Sequence, residues 1–242
     1  MSRYISLDPR QVPVSQVDHH LPAVPIAHLR PEALQARFRH DPQWTPELAR
    51  EPRFMDRPPA QAAVLIPIVM REARPTVLLT ERALHLPTHS GQIAFPGGKV
   101  DPQDHDVDAT ALREAQEEIG LHPQHVQIIG RMPQYITGSS FWITPVVALV
   151  DTHFVLNPNR GEVADVFEVP LEFLMNPAHH RLHHSEWQGE SRSWLSMPYL
   201  ELQTSPEGTT RSVERYIWGA TAGMLRNLYR FLMLQLPEGV LP

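Results

Sequence analysis

The sequence predicts an α/β layered domain, and three observations lead there. Apolar runs bounded by turn residues come in clusters, and only two stretches have the length and periodicity of substantial helices. Strands and helices do not alternate regularly, which disfavours a βαβ winding. With 242 residues, 42% of them hydrophobic, the chain can bury a core and still carry an appendage.

Residues 1–61 are rich in proline and read as an N-terminal extension, an arm in which 31–38 forms a short helix opened by Pro31. From Ala62 the texture changes, and 62–242 reads as the main domain. The runs 63–70 and 76–80 are apolar between turn residues, hence strands. A helix follows at 108–119, closed by Gly120 in the left-handed conformation. Strands are expected at 126–130, 134–137, 143–150 and 162–169, then a helical turn at 172–175. Residues 179–189 read as a polar loop, 194–201 as a strand and 217–232 as an amphipathic helix.

A net charge of −6 argues against a surface that coats nucleic acid, which needs basic patches. No run approaches the ~20 apolar residues that cross a bilayer, so no membrane partner is expected. The N-terminus lacks a basic segment followed by an apolar one, and the C-terminal Gly239-Val240-Leu241-Pro242 is not a peroxisomal signal. No cysteine is present, which removes disulfides, thiolate metal sites and thiol nucleophiles. A cytoplasmic setting is the expectation.

The most informative stretch is the helix around Leu112-Arg113-Glu114-Ala115-Gln116-Glu117-Glu118-Ile119-Gly120-Leu121. At ~100° per residue, Leu112, Ala115 and Ile119 form a core-facing stripe, and Glu114, Glu117 and Glu118 fall together on the other side. Arg113 can reach Glu117 one turn on. Three crowded carboxylates repel one another unless a hard divalent cation sits among their oxygens; the plain alternative is a solvated acidic face. Before the helix, Phe95-Pro96-Gly97-Gly98-Lys99 supplies a tight, glycine-rich approach.

At these residues the chain resembles the Nudix family, whose signature is Gly-x5-Glu-x7-Arg-Glu-U-x-Glu-Glu-x-Gly-U, with U bulky and aliphatic. Arg113 to Leu121 matches its second half at the charged and glycine positions, with the small Ala115 at the first U. Gly98 serves as the opening glycine; Asp104 stands where the first glutamate is expected, and one extra residue precedes Arg113. Upstream, Leu78-Leu79-Thr80-Glu81-Arg82-Ala83, Gly91 and Phe95-Pro96-Gly97-Gly98 resemble the coenzyme A pyrophosphatase branch, with Pro87 in place of that branch's second arginine. The segments 159–167 and 217–222 also look like later parts of this branch.

The resemblance implies an α/β/α sandwich around a mixed sheet, with Mg²⁺ or Mn²⁺ as cofactor. It implies Glu114, Glu117 and Glu118 as metal ligands, with Glu117 alternatively orienting water and Arg113 fixing it. Glu162 is a candidate ligand or general base, or an ordinary loop carboxylate. Arg82, Gly97 and Gly98 are candidate substrate contacts, although Arg82 could instead pair with a neighbouring acid. The implied partner is a small-molecule nucleotide, coenzyme A or a derivative, cleaved to 3',5'-ADP and 4'-phosphopantetheine. The missing arginine keeps ADP-ribose or a nucleoside triphosphate as alternatives, and a non-catalytic sensor is the rival from another class. A homodimer is left open. His179, His180, His183 and His184 have zinc-like spacing, but a solvated loop is the favoured reading. Trp218 is read as core.

Overall fold

A computed structural model describes residues 8–53, 57–187, 190–205, 207–237 and 239. In chain order the elements begin with β1 (Val14–Val17), α1 (Pro31–His40), β2 (Ala60–Val69) and β3 (Thr76–Arg82). Then come β4 (Ile93–Ala94), β5 (Gly97–Lys99), α2 (Val107–Ile119), β6 (Val126–Arg131), β7 (Tyr135–Ile136) and β8 (Phe141–Val150). The chain continues through β9 (Val163–Pro170), α3 (Leu171–Leu174), β10 (Arg181–Trp187), β11 (Glu190–Thr204), β12 (Thr210–Trp218) and α4 (Gly219–Leu232).

The central sheet is mixed. β2 and β8 run parallel from Ala60↔Phe141 to Val69↔Val150, and the remaining pairs are antiparallel. β3 meets β2 only at Ile68↔Val77 and Val69↔Thr76, then diverges and pairs with β9. The divergence leaves room for β5 beside Ala62–Val64. Both faces of the sheet are covered, which explains the near-continuous apolar runs of β2 and β8. On one face Ala111, Ala115 and Ile119 of α2 pack against Ala63, Leu65, Val146 and Ala148. On the other, Ile66, Ile68, Val147 and Leu149 meet Leu34 and Phe38 of α1 and Leu225 and Leu228 of α4. The result is an α/β/α sandwich. A second, antiparallel sheet, β1-β10-β11-β12, adds Leu195, Met197 and Ile217 to the α4 side. Among the described residues no helix is long and apolar enough to cross a membrane.

The chain before Ala60 is built into this core. Val24, Leu29, Leu34 and Phe38 are buried in it. Arg37 donates from its guanidinium to the carbonyls of Phe231 and Leu234 at 3.0 and 2.9 Å, at and just beyond the end of α4, where a cation suits the helix dipole. Asp18 and Glu47 both accept from Arg226, which is 2% exposed.

Two expectations need correction. The segment read as a polar loop, 179–189, is strand β10 from Arg181, preceded by a 3-10 turn; Gln188 and Gly189 lie outside the described residues. Its histidines are structural. His179 stacks on Phe173, and His183 sits between the carbonyls of Val12 and Pro13 and the Ser196 hydroxyl. The last helix begins at Gly219, not Ile217, because Ile217 and Trp218 complete β12 and Gly219 breaks the strand at φ 61°.

His180 is buried, and its tautomer follows from its neighbours. Arg226 can only donate, so Nδ1 accepts from it at 3.1 Å; Nε2 therefore carries the hydrogen and donates to the Leu174 carbonyl at 2.8 Å. Burial above all, with the Arg226 charge adding to it, pushes the imidazole down to about 4. The unfolded chain accepts a proton near pH 6.5 that the folded chain refuses until about pH 4. Stability from this group is therefore complete above pH 6.5 and is lost as pH falls from there to 4, by up to about 1.4 kcal/mol per unit. We predict that His180→Gln narrows the loss of unfolding free energy between pH 7 and pH 5 in urea titrations. An unchanged loss would contradict the buried neutral imidazole.

Candidate functional site

The site grows from the way α2 lies on the sheet. Asp106 caps its start by accepting from the Ala109 N–H at 2.9 Å, and Gly120, at φ 72°, closes its end. Ala111 and Ala115 carry only methyl groups, so the helix settles closely onto β2 and β5. The buried face is centred on these alanines, not on Leu112, which is half-buried. Glu118, placed by periodicity with the outer glutamates, lies one position round from Ala111 and is 4% exposed.

The glycines complete the fit. Their segment, read as a tight glycine-rich approach to the helix, forms strand β5. A Cβ on Gly97 would stand 2.4 Å from the Ala63 carbonyl oxygen and 2.6 Å from Val64 Cα. On Gly98 it would stand 2.3 Å from Glu114 Oε1. The N–H of Gly97 donates to Glu118 Oε2 at 3.2 Å.

Arg113 organises the outer edge. Its Nε and Nη2 grip both oxygens of Asp104 at 3.0 and 2.9 Å, and Nη1 reaches Glu114 and Glu117, each at 3.0 Å. Nη2 also donates to the Lys99 carbonyl at 3.2 Å. Asp104 receives further hydrogen bonds from the Asp101 N–H and the Thr110 hydroxyl, at 2.9 and 2.8 Å. These donors, Arg113 first, hold its carboxyl far below the usual carboxylate range. Asp104 thus anchors Arg113 despite the extra residue before the helix, which the 99–106 loop absorbs. Periodicity alone could not show this partnership, because it joins a loop to a helix.

A second loop closes over the end of α2. The N–H groups of Asn157 and Asn159 donate to the carbonyls of Ile119 and Glu118 at 2.9 and 2.8 Å. That docking brings exposed Glu162 close enough for its charge to act on Glu114 and Glu118. The Ala83 N–H donates to the Glu162 carbonyl and His85 Nε2 meets the Gly161 carbonyl, so the 83–92 loop is tied to the same place. Arg82 lies beside Glu118, and its buried Nε has no hydrogen-bond partner. Glu117 is the exception among the glutamates. Its side chain is 60% exposed and held by Arg113.

Burial pushes Glu118 up to about 7; the Gly97 N–H and Arg82 oppose the shift, while Glu114 and Glu162 reinforce it. Glu114 is raised too, by burial first. Crowded, half-desolvated carboxylates are what an oxygen-preferring dication relieves. Among the described residues no three acids or histidines stand in a finished metal-binding arrangement. In the structure Arg113 donates to Glu114 and Glu117, and the Gly97 N–H donates to Glu118.

The family model described as NUDIX domain matches residues 59–195, more than half of the chain and all of α2. The chain belongs to the Nudix family. A Citrobacter koseri protein named "Uncharacterized Nudix hydrolase NudL" is 42% identical over 170 residues, 69% of this chain and 80% of the relative. A Salmonella paratyphi B protein of the same name shows the same identity and coverage. A solved Nudix hydrolase from M. smegmatis, RenU, is 24% identical over 47% of this chain and 71% of its own, with a TM-score of 0.40.

In this Nudix hydrolase the two glycines have different duties, and substitution should separate them. Gly97→Ala drives a methyl into backbone and should cost about 1–3 kcal/mol in urea unfolding. Gly98→Ala meets only the end of a side chain, so the fold should survive while displaced Glu114 lowers turnover. Equal destabilisation by both would refute the distinction.

Proposed function

We propose that this Nudix hydrolase cleaves the pyrophosphate of coenzyme A, giving 3',5'-ADP and 4'-phosphopantetheine, with Mg²⁺ or Mn²⁺. The observation that carries the reading is the cluster of Glu114, Glu118 and Glu162 beside Arg82. It lies at the end of the stretch from Leu78 to Gly98 that resembles the coenzyme A pyrophosphatase branch. All its donors are hard carboxylate oxygens, which fit these dications.

Glu114 and Glu118 would hold the cation, with Glu162 as a further ligand or as the base that takes the proton of the attacking water. When bound, the metal neutralises charge building on the phosphate oxygens and acidifies water. The Arg82 guanidinium offers its charge to a phosphate oxygen. Water adds to one phosphorus, and the bridging oxygen leaves with the other. Arg113, fixed by Asp104, positions Glu114 and holds Glu117 at the rim, where Glu117 orients water or joins the metal. Gly97 orients Glu118 through its N–H, and Gly98 keeps space for Glu114. Pro87, exposed in the 83–92 loop where the branch has an arginine, favours a second reading: another nucleoside diphosphate derivative such as ADP-ribose.

A substrate panel with Mg²⁺ and Mn²⁺, read by product mass, tests the substrate. The expected products from coenzyme A differ from those of ADP-ribose or a nucleoside triphosphate, and no turnover of coenzyme A would refute the first reading. For the site, Glu118→Gln should lower turnover by about 100-fold or more. Melting should not fall, because the amide removes a buried charge. Undiminished turnover at ordinary metal concentration would overturn the assignment.

A further inference from the structure

At the Phe141 end of the sheet stand two cations that the hydrolytic machinery does not use. The guanidinium carbon of Arg57 lies 4.1 Å from the centroid of the Phe141 ring, and Lys99 Nζ lies 5.9 Å from the same centroid. The two cations therefore stand within about 10 Å of each other, close enough to repel, and the ring offsets only part of that repulsion. Among the described residues neither pairs with a carboxylate, and the buried Nε and Nη2 of Arg57 have no acceptor. An anion held beside both cations would offset their repulsion.

Their position says whose anion it would be. Among the described residues β5 pairs with β2 on one side only. Gly98 faces Glu114 across one face of β5, and Lys99, the next residue, faces the other way, above the Phe141 end of the sheet. The Lys99 carbonyl meanwhile accepts from Arg113. A ligand bound at Glu114 and Glu118 need only pass the edge of β5 to reach Lys99 and Arg57.

We propose that Arg57 and Lys99, flanking Phe141, grip a phosphomonoester that the substrate carries at a distance from the anhydride bond that is cut. This deepens the coenzyme A reading and rests on it for the identity of that group, the 3'-phosphate. It also assigns to residues outside the 83–92 loop the cationic contact that Pro87 cannot make.

The test compares coenzyme A with dephospho-coenzyme A, which lacks the 3'-phosphate, using the full chain and its Arg57→Gln, Lys99→Gln and double variants. In the double variant, KM for coenzyme A should rise about ten-fold, equivalent to about 1.4 kcal/mol, with kcat nearly unchanged. KM for dephospho-coenzyme A should hardly move. Lys99→Gln alters an exposed side chain and should reproduce part of the effect with unchanged melting, so a folding defect of Arg57→Gln cannot hide the result. An equal rise for both substrates, or none, overturns the proposal. If the native protein hydrolyses neither, the substrate reading has failed while the clamp is still measurable. Calorimetry should then show adenosine 3',5'-bisphosphate binding more tightly than AMP to the native chain and equally to the double variant. Loss of inorganic phosphate binding alone, with no such preference, would identify only a general anion site and reject the substrate clamp.

Discussion

The close approach of α2 to β2 and β5 is the constraint on which the site depends. Ala111 and Ala115 keep the helix close to the sheet, Gly97 lies against the β2 backbone, and Gly98 lies against the Glu114 side chain. Glu118 is then carried inside with the apolar face, where water cannot solvate it and a single peptide N–H from Gly97 is its direct partner. A carboxylate in this position is expensive by itself. Under the proposed function, a bound cation would offset that cost.

Around that buried acid the structure spends its hydrogen bonds on position. Arg113 binds three carboxylates and a carbonyl at once, and Asp104 fixes it through both oxygens. The guanidinium fork is suited to this, since each donor has a set direction. Asn157 and Asn159 use the unsatisfied end of the helix to dock the loop bearing Glu162. Acids from the helix and from a distant loop thereby meet beside Arg82, although more than 40 residues separate Glu118 from Glu162 in sequence.

Much of this was legible in the sequence. The helix, its Gly120 cap and the Arg113–Glu117 pair follow from spacing, which is local chemistry. The strands β2, β3 and β8 announced themselves as apolar runs because the sheet is covered on both faces. What stayed hidden depends on long-range packing. Glu118 looked exposed because a wheel drawn around Leu112, Ala115 and Ile119 misplaces the core by a fraction of a turn, and the small Ala111 marks its true centre. β10 looked like a loop because its histidines are polar, yet Val12, Pro13 and Ser196 satisfy His183 across the second sheet. The proline-rich start looked like an arm, and its hydrophobic anchors Leu29, Leu34 and Phe38 join a core built mostly from later elements, with Phe38 against Phe231 of α4 and Gly130 of β6.

Binding of Mn²⁺ to the full chain, followed by the loss of its free-ion paramagnetic resonance signal, addresses the buried glutamates without assuming any substrate. The native protein should bind the ion, and Glu118→Gln should weaken binding by about ten-fold or more. Equal binding by the two proteins would contradict a cation site built on Glu118.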